Sequence, residues 1–284
     1  MIRWAAGAAA SGAFMLVLRH GAGPAPRTVY EPLQGQILEF TKGRPQRFGI
    51  YFKELTSGAT WSLDGDRAFP AASTVKVPIA LYVYELVKTG ELRWSDRLRY
   101  ERSLDFAEGA GVLQHDGIDG QTYSLRVLTN LLITVSDNVA WRMLTRHLGQ
   151  ENIAAYMRRL GGTTVFPEGR NLSTARDMGI YMEAVWNFAR RHPDEGERLL
   201  DDLSHTIWHV GLPGRLPAEV RVAHKEGDIT GVADDVGIVF ARRPYILAVM
   251  SEGVPSIEEG FADIARISRM VYDFQERLAE EARG

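Results

Sequence analysis

Cysteine is absent from the whole chain. That excludes a disulfide framework, a thiolate nucleophile and any cysteine-ligated zinc site. It leaves the compartment open, because a chain of 284 residues can be stable outside the cell without bridges. Lysine is also scarce: only Lys42, Lys53, Lys76, Lys88 and Lys225 among 33 basic residues, so a lysine inside a motif carries extra information. Basic excess is missing too. A formal net charge of -3 and a pI near 6.2 give no footprint for a nucleic-acid partner. There is no internal repeat and no low-complexity tract.

Long apolar runs are limited to the N-terminus. Arg3 precedes "WAAGAAASGAFMLVL", residues Trp4 to Leu18 without a charge, and then "RHGAGPAPR". A basic start, a short apolar run and small residues afterwards read as a secretory signal or a membrane anchor, while a buried helix is the plainer alternative. The run is short of the ~20 residues a full span needs. Residues 1–28 are therefore expected to be a signal or anchor plus linker. Residues 29–284 are expected to form one catalytic domain with an extracytoplasmic location, possible membrane attachment through that segment and a monomeric state.

What is present beyond the linker has a clear order. "YEPLQGQILEF" has helical spacing, and "RFGIYFKEL" and "ATWSL" are strands joined at Thr56-Ser57-Gly58. From Ser124 to about His209 the apolar residues recur every three to four positions, the mark of helices. "EVRVAHKEG", "DVGIVFA" and "YILAVMSEG" are then short Val- and Ile-rich strands, and a long amphipathic helix ends the chain. This predicts an α+β fold: an antiparallel five-stranded sheet flanked by N- and C-terminal helices. A helical lobe, about residues 70–212, is inserted into it. A cleft between two lobes is a common place for a site.

Three polar clusters fall where that cleft would be. Ser73 and Lys76 stand three apart at the start of an apolar helix. Ser73 can be a helix cap and Lys76 a solvated charge. Alternatively the hydroxyl is a nucleophile and the amine its base. Such spacing brings both side chains to one face, and a helix N-terminus supplies a field that lowers the lysine's pKa. Chance alone gives Ser-x-x-Lys about 0.2 times in this composition, so the pair is weak by itself. Ser136-Asp137-Asn138 is rarer, at about 0.01. It reads as a polar N-cap or as a proton relay at Ser136 with substrate contact at Asn138. Lys88-Thr89-Gly90 lies twelve residues past Lys76 on one helix, about 18 Å away at ~1.5 Å per residue, and reads as a helix C-terminus. The third cluster is instead Lys225-Glu226-Gly227 on a late strand. There Lys225 could hold a substrate carboxylate, Gly227 would allow close approach, and the N–H of Asp228 would be a second oxyanion donor.

These ordered clusters, with "GAGVL", "SLRVLTNLLITVSDNVAWRMLTRHLG", "NLSTARDMG" and "AHKEG…DDVGIVF", resemble the class A β-lactamase family and its class-A-like serine hydrolases. The likeness runs from Tyr30 nearly to the C-terminus. It implies a β-lactamase/transpeptidase-like fold and an acyl-enzyme on Ser73, with Lys76 as base, Ser136 as relay, and Asn138, Lys225, Gly227 and Asp228 binding substrate. The implied partner is a small β-lactam or a peptidoglycan-derived peptide, and neither metal nor organic cofactor is called for. Hydrolysis of a β-lactam ring is the main expectation. A peptidase acting on cell-wall peptides or a non-hydrolytic binding protein is the alternative. Two departures stand out. Glu226 replaces the threonine of the family motif, setting like charge near a substrate carboxylate. The loop before "TARDM" is short, leaving Glu168 as the available acid for deacylation or else as an exposed acid in a Pro-Gly turn. His205 and His209 share i, i+4 spacing without a third ligand and read as an ordinary helix face. His224 reads as structural, and Asp234 and Asp235 as part of a strand turn.

Overall fold

The computed structural model describes residues 29–282; the N-terminal run Trp4–Leu18 and its linker lie outside them. Five strands form an antiparallel sheet: β1 (Arg47–Glu54), β2 (Thr60–Leu63), β3 (Val222–Ile229), β4 (Val232–Val239) and β5 (Tyr245–Glu252), in the order β2-β1-β5-β4-β3. Eight helices of ten or more residues surround it among the described residues. They are α1 (Glu31–Lys42), α2 (Lys76–Thr89), α3 (Leu125–Thr134), α4 (Asn138–Leu148), α5 (Gln150–Leu160), α6 (Ala175–Arg191), α7 (Pro193–Ser204) and α8 (Ile257–Glu281). Shorter two-stranded ladders (68–70 with 172–174, 97–99 with 122–124) tie loops together.

Alternation along the strands divides the molecule into two cores. Ile50, Phe52, Leu247 and Val249 point to α1 and α8, joining Leu33, Ile37, Ile264, Ile267 and Val271. Tyr51, Ile246, Ala248 and Met250 point the other way, into the helices between the strands. The three- and four-residue spacing of Phe261, Ile264, Ile267, Val271 and Phe274 is what lays α8 along the sheet. On the opposite side α6 comes so close that a Cβ on Gly179 would sit 2.1 Å from the ring of Tyr51. Both lobes thus share one sheet, and β3 is its free edge beside the helical lobe. No helix among the described residues is long and apolar enough to cross a membrane.

Two local expectations fail. Helical periodicity runs on to His209, but α7 stops at Ser204. The Thr206 hydroxyl donates to the carbonyl of Trp208 at 2.9 Å and faces His224 Nε2 at 3.2 Å, a side-chain bond that competes with the helix ladder. His205 and His209 therefore do not share a helical face. Asp234 and Asp235 are not in a turn either; both are fully buried in the middle of β4.

Candidate active site

Ser73 sits in a tight 3-10 turn, Ala72–Val75, that runs straight into α2 with Lys76 as its first residue. Ala72 has φ 41°, a left-handed value uncommon outside glycine. Neither the turn nor α2 is capped by a side chain, so the capping role open to Ser73 is not used. The edge strand presses on this turn: a Cβ at Gly227 would lie 2.8 Å from the backbone N of Ser73 and 3.0 Å from that of Thr74. Only glycine lets β3 pass at that distance. Its consequence is to bring the Ser73 turn and the strand that continues into Asp228 side by side.

Lys76 is buried at the centre of the three clusters. Its Nζ donates to the Ser136 carbonyl at 2.6 Å, the Ser136 hydroxyl at 3.0 Å and Asn138 Oδ1 at 2.8 Å. Burial, then the charge of nearby Lys225, lowers its pKa to about 7, although Asp137 and Asp228 oppose the shift. A second lysine on the sheet thus adds to the effect of burial. Ser136 itself is held at φ 55°, the kind of backbone strain that persists only where surroundings enforce it.

Asp137 does that enforcing. One oxygen caps α4 through the N–H of Ala140 (2.9 Å), while the other accepts the N–H groups of Val112 (2.7 Å) and Leu113 (2.9 Å). The glycine-rich passage is thereby tied to the Ser136 turn. Asp137→Ala strips a charged acceptor from three N–H groups and is expected to cost about 3 kcal/mol, read as a lowered midpoint of thermal or urea unfolding. Asn138, expected to contact substrate, is engaged at both ends of its amide within the protein: by Lys76, and by Nδ2 donating to the Glu108 carbonyl at 2.9 Å. It orients the lysine while lining the cleft.

Two connected spaces meet at Ser73. A cleft of about 960 Å³ is lined by Ser73, Ser136, Asn138, Lys225, Glu226 and Asp228, with Trp208 and Val210 at the lobe boundary. A smaller recess of about 200 Å³ is lined by Ser73, Lys76, Asn138, Trp141 and Asn171. Lys225 is almost wholly buried, donates to the Glu226 carbonyl at 2.7 Å, and has its pKa lowered to about 8 by burial. Gly227 and Asp228 lie along the same strand edge. The clusters at 73–76, 136–138 and 225–228 are therefore gathered in one place.

Glu168 is not gathered with them. Phe166 (φ 45°) and Glu168 (φ 53°) are both left-handed in the turn Pro167–Gly169. This points the carboxylate into solvent, where it pairs with Arg170 at 3.1 Å and remains 82% exposed. It lines neither space around Ser73. The residue of that segment that does enter is Asn171. Its Nδ2 donates to the Ala72 carbonyl at 2.8 Å, and its Oδ1 is buried in the recess with no protein partner.

Behind Glu226 lies a buried group that the sequence did not single out as a unit: His224, Glu226 and Asp235. His224 Nδ1 is 3.0 Å from both Asp235 oxygens, and Asp235 also accepts the N–H of Leu212 at 2.6 Å. Glu226 Oε1 accepts the N–H groups of Val210 (3.0 Å) and Gly211 (2.8 Å). The three residues have the donor types of a metal centre, but these four ligand atoms are already matched to protein donors or to each other.

A hydroxyl beside an amine that can shed its proton near neutrality, with a strand N–H alongside, is the equipment of covalent acyl transfer by serine. By sequence the chain belongs to the β-lactamase enzyme family, whose profile matches residues 32–275. It is 29% identical to a β-lactamase from Bacteroides uniformis over 85% of this chain and 90% of that one. The β-lactamase AST-1 of Nocardia asteroides is 27% identical over 83% and 81%. Among solved structures, PBP-A superposes with a TM-score of 0.81 at 32% identity, covering 87% of this chain and 97% of that one. A mutant of PBP-A was solved as an acyl-enzyme complex with penicillin G.

Proposed function

We propose that the protein opens β-lactam rings through an acyl-enzyme on Ser73, in an extracytoplasmic setting suggested by the Trp4–Leu18 run. The observation that carries this reading is the buried amine of Lys76, held on the Ser136 hydroxyl beside Ser73 and poised near neutral pKa. In acylation the Ser73 hydroxyl attacks the lactam carbonyl and its proton passes to the neutral Lys76 amine. The N–H groups of Ser73 and Asp228 face the developing oxyanion. As the carbon–nitrogen bond breaks, Ser136 gives its proton to the leaving nitrogen and is reprotonated by the Lys76 ammonium. Water then cleaves the ester and returns Ser73.

The weak link of this cycle is the last step. With Glu168 in solvent, the polar groups bordering the recess next to Ser73 are Lys76, Asn138, Asp228 and Asn171, whose Oδ1 is unpartnered. That specific feature favours a second reading, in which the acyl-enzyme is long-lived and the protein acts as a penicillin-binding peptidase or binder. Intact mass of the protein after mixing with penicillin G separates the cases. A transient adduct with released product supports turnover; a lasting adduct supports the second reading; neither adduct nor product on any timescale defeats both. Glu168→Gln is expected to leave the decay of the adduct within about twofold of the parent, since an exposed carboxylate paired in water contributes little. A tenfold slower decay would return Glu168 to the mechanism.

A further inference from the structure

The feature of the cleft that acyl transfer leaves unused is the carboxylate of Glu226. β3 is an edge strand, and residues from both of its faces line the cleft: Lys225 on the side of the helical lobe, Glu226 on the side of α8. The Glu226 carboxylate is fixed there. Its Oε1 is clamped by two successive backbone N–H groups, of Val210 and Gly211, which form a small anion-binding hollow in the loop after α7. The chain's own carboxylate occupies the donors that could otherwise receive an anionic group of a ligand. The Lys225 ammonium, for its part, is turned onto the Glu226 carbonyl.

Other charges at the cleft do not restore an anion site. Glu108, Asp228 and Glu258 line it with Glu226, against Lys225, Arg215 and the partly exposed His209. Behind the strand, Asp235 stands opposite Glu226 in the β3–β4 register and adds further negative charge.

We propose that Glu226 is a specificity-determining residue. It turns this cleft away from acyl donors that present a carboxylate beside Lys225 and towards those that present a neutral hydrogen-bond donor there, such as a carboxamide. The inference rests on the acyl-enzyme reading above and names its substrate class. A carboxylate brought next to a fixed carboxylate in a part-buried cleft meets like-charge repulsion that water screens only partly. An amide N–H instead finds an acceptor already in place. Burial and the charge of Asp235 push the Glu226 carboxyl up to about 7, while His224, the Gly211 N–H and Lys225 pull it down. At pH 8 it is mostly ionised, and that is the condition for the test.

The experiment compares penicillin G with its carboxamide as acylating agents at pH 8. The second-order rate of adduct formation is read by intact mass for the parent, Glu226→Gln and Glu226→Thr. Glu226→Gln keeps an acceptor for the Val210 and Gly211 N–H groups, so the loop stays anchored while the charge goes. The amide-to-acid rate ratio is internal to each variant and is insensitive to any loss of folded protein. The expected result is a ratio that falls by about tenfold or more in both variants, through faster acylation by the acid. A ratio within threefold of the parent in both variants overturns the proposal while leaving the Ser73 chemistry intact. No adduct with either probe in any variant overturns the acyl-enzyme reading and this inference together.

Discussion

Ser73→Ala is expected to leave no covalent adduct with penicillin G and to lower any β-lactam hydrolysis by at least about a thousandfold. The reason is structural as much as chemical. The Ser73 turn is the point at which the edge strand, the Ser136 turn and the start of α2 meet, and its hydroxyl lines both spaces in which a substrate or water could react. No other serine among the described residues combines those contacts: Ser136 lines the cleft, but its hydroxyl is bonded to Lys76 and its backbone is pinned by Asp137. The substitution removes one oxygen beside a packed turn, so the folded state should be retained, as near-UV circular dichroism can verify. An adduct that persists in Ser73→Ala would assign the nucleophile elsewhere.

The second large effect concerns the base. Lys76→Ala is expected to slow acylation of Ser73 by between a hundredfold and ten-thousandfold, the range a positioned general base contributes. Lys76→Arg should be nearly as damaging, because a guanidinium keeps its proton. The sign of the pH dependence follows from the lowered pKa of about 7. The amine accepts a proton only when it is neutral. Acylation should therefore fall about tenfold per unit as pH drops below 7 and level off above it. A lysine left at its ordinary value near 10.4 would instead give a rate still rising at pH 9. Measuring acylation between pH 5 and pH 9 distinguishes the two. Neutralising Lys225 should shift the inflection upwards, since its charge helps to depress Lys76.

How far these conclusions could be read from sequence depends on the range of the interactions involved. The sheet was legible because each strand carries its own signature: Val and Ile runs from Val222 to Val249 and a Gly58 turn between β1 and β2. Ser73, Lys76 and the Ser136–Asn138 turn were legible because each is a local arrangement at a helix start. Gly227 was singled out for the approach of substrate, whereas what the structure shows approaching it is the Ser73 turn itself.

What escaped depends on contacts that spacing does not encode. The His224–Glu226–Asp235 group exists only through the register of β3 on β4 and the loop that folds over it. Asp235 can sit in mid-strand, where pattern alone suggested a turn, because it is paired with His224 and the Leu212 N–H, and Asp234 because it accepts the N–H of Ser251. Glu168 was a reasonable acid by position, but two left-handed residues in three turn it outwards, and nothing in "FPEGRN" announces that. Asn171 draws its meaning from the Ala72 carbonyl, 99 residues away.

The most direct test of the convergence claimed here is to find where the acyl group lands. The full chain is mixed with penicillin G, quenched in acid, digested, and the modified peptide sequenced by mass spectrometry. The geometry predicts one penicilloyl group, on Ser73 within the segment "AASTVK". Modification of Ser136 or of any residue outside the cleft, or β-lactam hydrolysis with Ser73 never modified, would contradict it.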